Sequence, residues 1–364
     1  MIQLYGTFRS KEFSCQIPDV VFFINHDRAS VKVSVIKSGD ETVVYDEVLY
    51  PEASGRITLS DIDVLIEPYA DRWLSFNLKV EIKEQLATVD GKGNEVFVNE
   101  SSIQPLVTLV ISCRANILNM TADDWCRKRF LTLMDGVRTT AIGWLEYLYF
   151  IGDDTVSVAS YFDDGTSFGK TLTVVQGDGY CRIDASPANF LISGRKLLRY
   201  VISAGDRRQE YVVDYDVEPE IAPVLLFWNS FGVQELAYCT GELKMADSFD
   251  RKQARIGRLK KTYEMEEKVT FKADTGILSF PMANWWREVL RSRDVSVLDV
   301  VNGGVDLSSG KSVVITSEKS ELSNAPDHLP RYTFEYEYAD RNHNVFDTRR
   351  EGRIFDDTFD YTFN

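Results

Sequence analysis

The chain has 364 residues, of which 44% are hydrophobic, 12% aromatic and 27% charged. That is an ordinary globular composition, with length for roughly two or three domains. Forty-one Lys and Arg against fifty-six Asp and Glu leave a net charge of −15, which speaks against a nucleic-acid surface because phosphate binding needs a basic footprint.

Residues 1 to about 115 read as all-β, with about seven short strands, the size of a sandwich domain. SVKVSVIKSGDETVVYDEVLY is two alternating strands around Ser38-Gly39-Asp40, with Val31, Val33 and Val35 on one face. From Leu74 to Ile82, Leu74, Phe76, Leu78, Val80 and Ile82 share a face opposite Asn77, Lys79 and Glu81. Asp90-Gly91 marks a turn into Glu95 to Asn99. Residues 60 to 70 hold a helical turn before Pro68, and Leu106 to Ser112 reads as a buried strand.

Residues 116–136 form a partly helical connector. Thr121 with Asp123 and Asp124 starts a helix, since early acids suit its N-terminal dipole, and Gly136 is expected to end it. A second β domain is expected over 137–220. It opens on GWLEYLYFIG as a strand and continues through Lys170 to Val175, Leu197 to Ile202 and Glu210 to Val213.

The third domain, 221–364, opens on PVLLFWNSFGVQELAYCTGELK. This is an apolar strand, an Asn229-Ser230-Phe231-Gly232 turn of type I chemistry and a returning strand. The run VLLFW predicts a strand covered on both faces. The densest basic piece, Arg251 to Lys261, reads as a solvated loop or strand edge. MANWWREVLRSR, 282–293, is the best helix, pairing Trp286 with Leu290 and Trp285 with Val289 at fourfold spacing. RYTFEYEYAD is a strict alternation, and the last twenty-odd residues to Asn364 read as an arm. The fold expected is mainly β: serial β-sandwich-like domains with one or two short helices.

No chemistry stands out. His26, His328 and His343 sit in polar loop-like sequence with no nucleophile signature near them. Asp163, Asp164 and Thr166, and likewise Asp356, Asp357 and Asp360, lack the spaced acids and closing Glu of a calcium loop. The five Cys are widely spaced with no CxxC pair, and no phosphate-binding glycine motif occurs. The reading assigns no catalytic residue, cofactor or metal. It assigns interface roles to five aromatics: Phe227, Trp228, Phe231, Trp285 and Trp286. The adjacent Trp285 and Trp286 are expected to part company, one entering the core and the other meeting a neighbouring domain or subunit. Phe231, at a loop tip, is either tucked back or held out to a partner.

Several stretches together resemble a group of phage and prophage proteins from gut Bacteroidales, taken to be tail- or baseplate-associated structural proteins. These are RKRFLTLMDG with EYLYF, FWNSFGVQE, WWREVLRSRDVSVLD, KSVVITSEKSE and the aromatic strand ending in YAD. The resemblance covers about residues 125 to 364 and its motifs are structural, so it carries over no active-site residues. It implies a non-enzymatic virion subunit whose partners are copies of itself and other tail or baseplate proteins. The alternative is a carbohydrate-binding or adhesin module for a host-surface glycan. The opening MIQLYGTFRSKEF has no signal-peptide core, and no segment reaches the roughly 18 apolar residues of a membrane span. The expectation is synthesis in the bacterial cytoplasm without membrane insertion.

Overall fold

The computed structural model describes residues 2–217, 222–301, 303–320 and 329–340. Strands dominate it and form five sheets, with three short α-helices: α1 (Ile62–Ala70), α2 (Ala122–Lys128) and α3 (Phe280–Arg291). The mainly β class read from the alternating patterns is what folds. The expected C-terminal arm lies outside the described residues, as do His328, His343, Asp356, Asp357 and Asp360.

The N-terminal part packs a three-stranded sheet (Gln3–Tyr5, Val20–Phe23, Arg56–Leu59) against a six-stranded one. The larger sheet runs Lys11–Phe13, Leu106–Ile111, Ser75–Val89, Arg28–Lys37, Asp40–Leu49, and Glu95–Ser102 adds to the far half of Ser75–Val89. The period-2 alternation decides which side faces in. Val31, Val33, Val35, Leu78, Val80 and Ile82 meet Phe22, Ile57 and Leu59 in one core. Ser38 and Gly39 both take positive φ, 53° and 95°, as a two-residue hairpin loop between twisted strands requires. Helix α1 runs past Pro68 to Ala70 and closes this core with Ile62 and Ile66.

In the connector, the Thr121 hydroxyl accepts from the Asp124 amide at 3.2 Å, capping α2 as its sequence predicts. The helix does not reach Gly136. It ends at Arg129, whose backbone is extended, because the next two side chains go to different places. Phe130 enters the core of the second β unit, and Leu131 enters a cluster shared by several units.

The second unit packs a five-stranded sheet against a three-stranded one. The first contains Val137–Ala141, Arg207–Asp214, Leu197–Ala204, Val156–Phe162 and Ser167–Thr171. The second contains Tyr147–Phe150, Cys181–Asp184 and Val175–Gln176. Two expectations are corrected here, and one strand is new. The expected strand Lys170 to Val175 is divided between Ser167–Thr171 and Val175–Gln176, in different sheets. GWLEYLYFIG becomes a strand only from Tyr147, and the unanticipated strand Val137–Ala141 joins the larger sheet in parallel with Arg207–Asp214.

The third unit is one seven-stranded sheet with α3 as its covering layer. Its order is Gln234–Tyr238, Val224–Trp228, Val295–Val301, Gly304–Ser320, Tyr332–Tyr338, Leu259–Asp274, Leu243–Ile256. Leu225 and Phe227 from one end of this sheet share a core with Phe271, Phe334 and Tyr336 from the other, so the sheet curls around the helix. Ser279 caps α3 and Pro281 sits in its first turn. The opposite face of Val224–Trp228 and its neighbours packs Val224, Leu236, Tyr238 and Leu298 against Ala141 and Trp144 of the second unit. That is the two-sided coverage the run VLLFW implies.

Candidate functional site

The five aromatics assigned to interfaces do not share one fate. Phe227, Trp285 and Trp286 lie in the core of the third unit, and Phe231 is fully buried. Trp228 is 45% exposed. The expectation that Trp285 and Trp286 must diverge is corrected. Neighbours on a helix point roughly 100° apart, but a sheet that curls around α3 buries an arc wide enough to take both. Trp285 packs edge-on to Phe227 at 5.6 Å, and Trp286 lies 6.1 Å from Phe334.

Phe231 resolves the loop-tip alternative toward tucking back. The Asn229 side-chain oxygen accepts from the Phe231 and Val233 amides at 2.9 and 3.2 Å and fixes the turn. Gly232 supplies its positive φ of 71°. The ring then enters a cluster drawn from the whole chain: Phe13 and Ile111 of the first unit, Trp125 and Leu131 of the connector, Tyr149 of the second. Its centroid lies 5.4 Å from Trp125 and 6.1 Å from Phe13. The opening hairpin is therefore a bolt that joins the three units.

Beside Phe231 lies a buried polar hub that the sequence reading missed. One Glu235 oxygen accepts from Thr132, Arg138 and the Trp285 indole N–H at 3.1–3.2 Å, and the other accepts from the Asn229 side-chain Nδ2 at 2.6 Å. Arg138 also reaches Glu146 at 3.0 Å and donates to the Leu236 carbonyl at 2.6 Å. Burial works against the Arg138 charge, but the two carboxylates outweigh it and hold the guanidinium protonated. Burial pushes Glu146 up to about 7 despite the opposing pull of Arg138. One guanidinium does not compensate two desolvated carboxylates, so a proton on Glu146 is the cheaper solution. Arg138, Glu146 and Glu235 are all at most 4% exposed, which leaves a substrate no way in. The hub ties connector, second unit and third unit by groups that cannot be left unpaired.

The opposite edge of the same sheet behaves differently. Leu243–Ile256 and Leu259–Asp274 form a hairpin of 14 and 16 residues, paired from Leu243 with Ala273 out to Ile256 with Leu259. Among the described residues, only Phe271 to Asp274 pair onward, to Tyr332–Tyr338. The remainder is a two-stranded ribbon with Phe249, Leu259 and Tyr263 exposed, and Met245, opposite Phe271, is exposed at its base. The basic run Arg251 to Lys261 forms its tip.

The remaining candidates fall to ordinary turns. Asp164 accepts from the Thr166 amide at 2.9 Å and pairs with Arg195, while Asp163 accepts from the Lys196 amide. Among the described residues no group of three or more His, Cys, Asp or Glu is placed to hold a metal ion, and no helix is long and apolar enough to cross a membrane.

No family model matches the chain, and no curated protein matches it. Among solved structures, a Salmonella alpha-2-macroglobulin mutant aligns at 11% identity and a TM-score of 0.19, over 93% of this chain and 30% of that one. A tandem from titin aligns at 7% and 0.14, over 93% and 90%. The N-terminal eight Ig domains of Down syndrome cell adhesion molecule align at 9% and 0.15, over 93% and 52%. At these scores the alignments assign neither fold family nor function.

Proposed function

We propose that the chain is a non-enzymatic structural subunit of a phage tail tip, baseplate or related assembly. Its work is to make contacts with copies of itself and with neighbouring tail proteins. The observation that carries this reading is the bare ribbon. A two-stranded hairpin is at best marginally stable alone in water, and a long exposed edge is a ready template for another chain. A neighbouring subunit that covers Met245, Phe249 and Tyr263 supplies the burial that the described residues do not. The bolt and hub support the same reading from the other side, because they present the ribbon from a body with its units locked together.

The test is to replace residues 248–268 with an Asn-Gly turn joining Asp247 to Val269, which the register places opposite one another. The shortened chain should keep the Tm of the full chain. It should lose the higher mass that the full chain shows by light scattering, alone or mixed with tail proteins, and it should be missing from virions. A full-length chain that stays monomeric in every mixture and is absent from virions overturns the proposal. The alternative reading, recognition of a surface glycan, is favoured at a different place, by the half-exposed Trp228.

A further inference from the structure

The outer side of α3 carries Asn284, Arg287, Glu288 and Arg291 at the three- and four-residue spacing that aligns side chains on one face. Together with Arg293, the Trp228–Ser230 end of the opening hairpin and Arg114–Asn116, they line an open cleft of about 600 Å³. Its charge runs against the rest of the molecule. In a chain of net charge −15, four guanidiniums face one opening. Arg114 is neutralised by Asp71 at 2.8 Å. Among the described residues, Arg287, Arg291 and Arg293 are exposed and have no carboxylate within ion-pair distance.

The wall of this cleft holds an unfilled acceptor. Glu288 is only 8% exposed. One of its oxygens accepts from the Ser230 amide at 2.5 Å. The other oxygen, Oε2, is buried and has no hydrogen-bond partner among the described residues. That oxygen has almost no surface on the opening, and burial pushes the Glu288 carboxyl up to about 7, so it offsets the arginine charge only in part. Trp228 stands at the rim with its indole half in solvent.

We infer that this cleft binds an acidic saccharide. A sugar carboxylate is gripped by the planar forks of Arg287 and Arg291, and a ring face lies on Trp228. Guanidinium forks match carboxylate geometry in two parallel bonds, and an indole offers an apolar face with little entropy to lose. A neutral sugar leaves the arginines unanswered. A polyphosphate has no ring face to lay on Trp228. The inference deepens the glycan-recognition reading and is independent of the ribbon and its role in assembly.

The experiment is titration calorimetry of the full chain with sialylated and uronate oligosaccharides, with the methyl esters of the same sugars, and with inorganic polyphosphate. At least one acid should bind while its ester binds about tenfold more weakly or not at all. The surface variants Arg287→Ala with Arg291→Ala, and Trp228→Ala, should each lose about tenfold or more at unchanged Tm. Arg258→Ala, on the ribbon, should bind like the parent chain, which separates this result from any failure of the assembly reading. Equal affinity for acid and ester, binding of polyphosphate alone, or silence across the whole panel overturns the inference.

Discussion

Two hairpins close the two edges of one sheet, and they are opposites. The opening hairpin, Val224 to Tyr238, ends in a turn whose Phe231 is fully buried among residues from three parts of the chain. The long hairpin, Leu243 to Asp274, ends in a turn that nothing among the described residues covers, with apolar side chains in solvent. The backbone pairing is the same in both; the side chains differ. VLLFW and FGV offer two apolar runs, joined by an Asn that organises its own turn. In the ribbon, Met245 and Phe249 are separated by Ala246, Asp247 and Ser248, and the tip is basic. An element that carries enough apolar area to satisfy itself folds inward. One that carries only scattered anchors among charges stays outside until a partner adds the rest.

The comparison breaks first at the hub, where the largest effect is expected. Arg138→Ala strands the Glu146 and Glu235 carboxylates in the interior and should cost about 3–5 kcal/mol in urea denaturation. If it costs less than about 1 kcal/mol, the hub is not what joins the units. Phe231→Ala should cost about 3–4 kcal/mol through the cavity it leaves. It should also split a single unfolding transition into more than one, since its ring touches every unit. A two-state loss without splitting would reduce the bolt to ordinary core.

The hub also sets a pH dependence. Because Glu146 is pushed up to about 7, the folded state holds a proton that the unfolded chain releases near the ordinary value of 4.5. The stabilisation this gives is complete below 4.5 and is lost as pH rises through 7. Denaturation midpoints should therefore fall between pH 5 and pH 8, with roughly 3 kcal/mol or less from Glu146; burial pushes Glu288 up to about 7 as well, so Glu146→Gln should reduce the slope and leave the share of Glu288. Glu84 works in the opposite direction. Burial opposes its charge, but hydrogen bonds from the Ser101 hydroxyl and the Asn25 amide outweigh that and hold it down to about 2. Its contribution is present above 4.5 and is lost only as pH falls toward 2. The smallest effect on stability belongs to the ribbon: Phe249→Ser should change it by no more than about 0.5 kcal/mol while weakening assembly.

What the sequence showed and what it hid follow from range. Period-2 alternation over Val31 to Val35 and Phe76 to Ile82 is local, and it placed those side chains in the core. Thr121 before two acids marked the start of α2 for the same reason. The end of α2 was hidden, because Phe130 and Leu131 leave the helix for cores formed by distant strands. The hub was hidden more completely. Arg138 lies in VRTTA, which looks solvated, and Glu146 sits among aromatics as an apparent outward residue. Only the register that brings Val137–Ala141 beside Arg207–Asp214, and the packing of Ala141 on Leu236, bury them near Glu235. Trp285 and Trp286 misled for a related reason: a rule for a helix on a flat layer does not hold for a helix inside a curled one. Ser279, two residues before Pro281, was a legible start signal for α3, which begins at Phe280, two residues ahead of the predicted boundary.

Amide hydrogen exchange followed segment by segment, on the free chain and on the assembled particle, tests the contrast between the two hairpins most directly. In the free chain the amides of 224–238 should exchange only with global unfolding and those of 248–268 within the fast, locally opening fraction; in the particle the second set should slow to match the first. Ribbon amides that are already as protected as the opening hairpin in the free chain, or that exchange at the same rate with and without partners, would contradict the account.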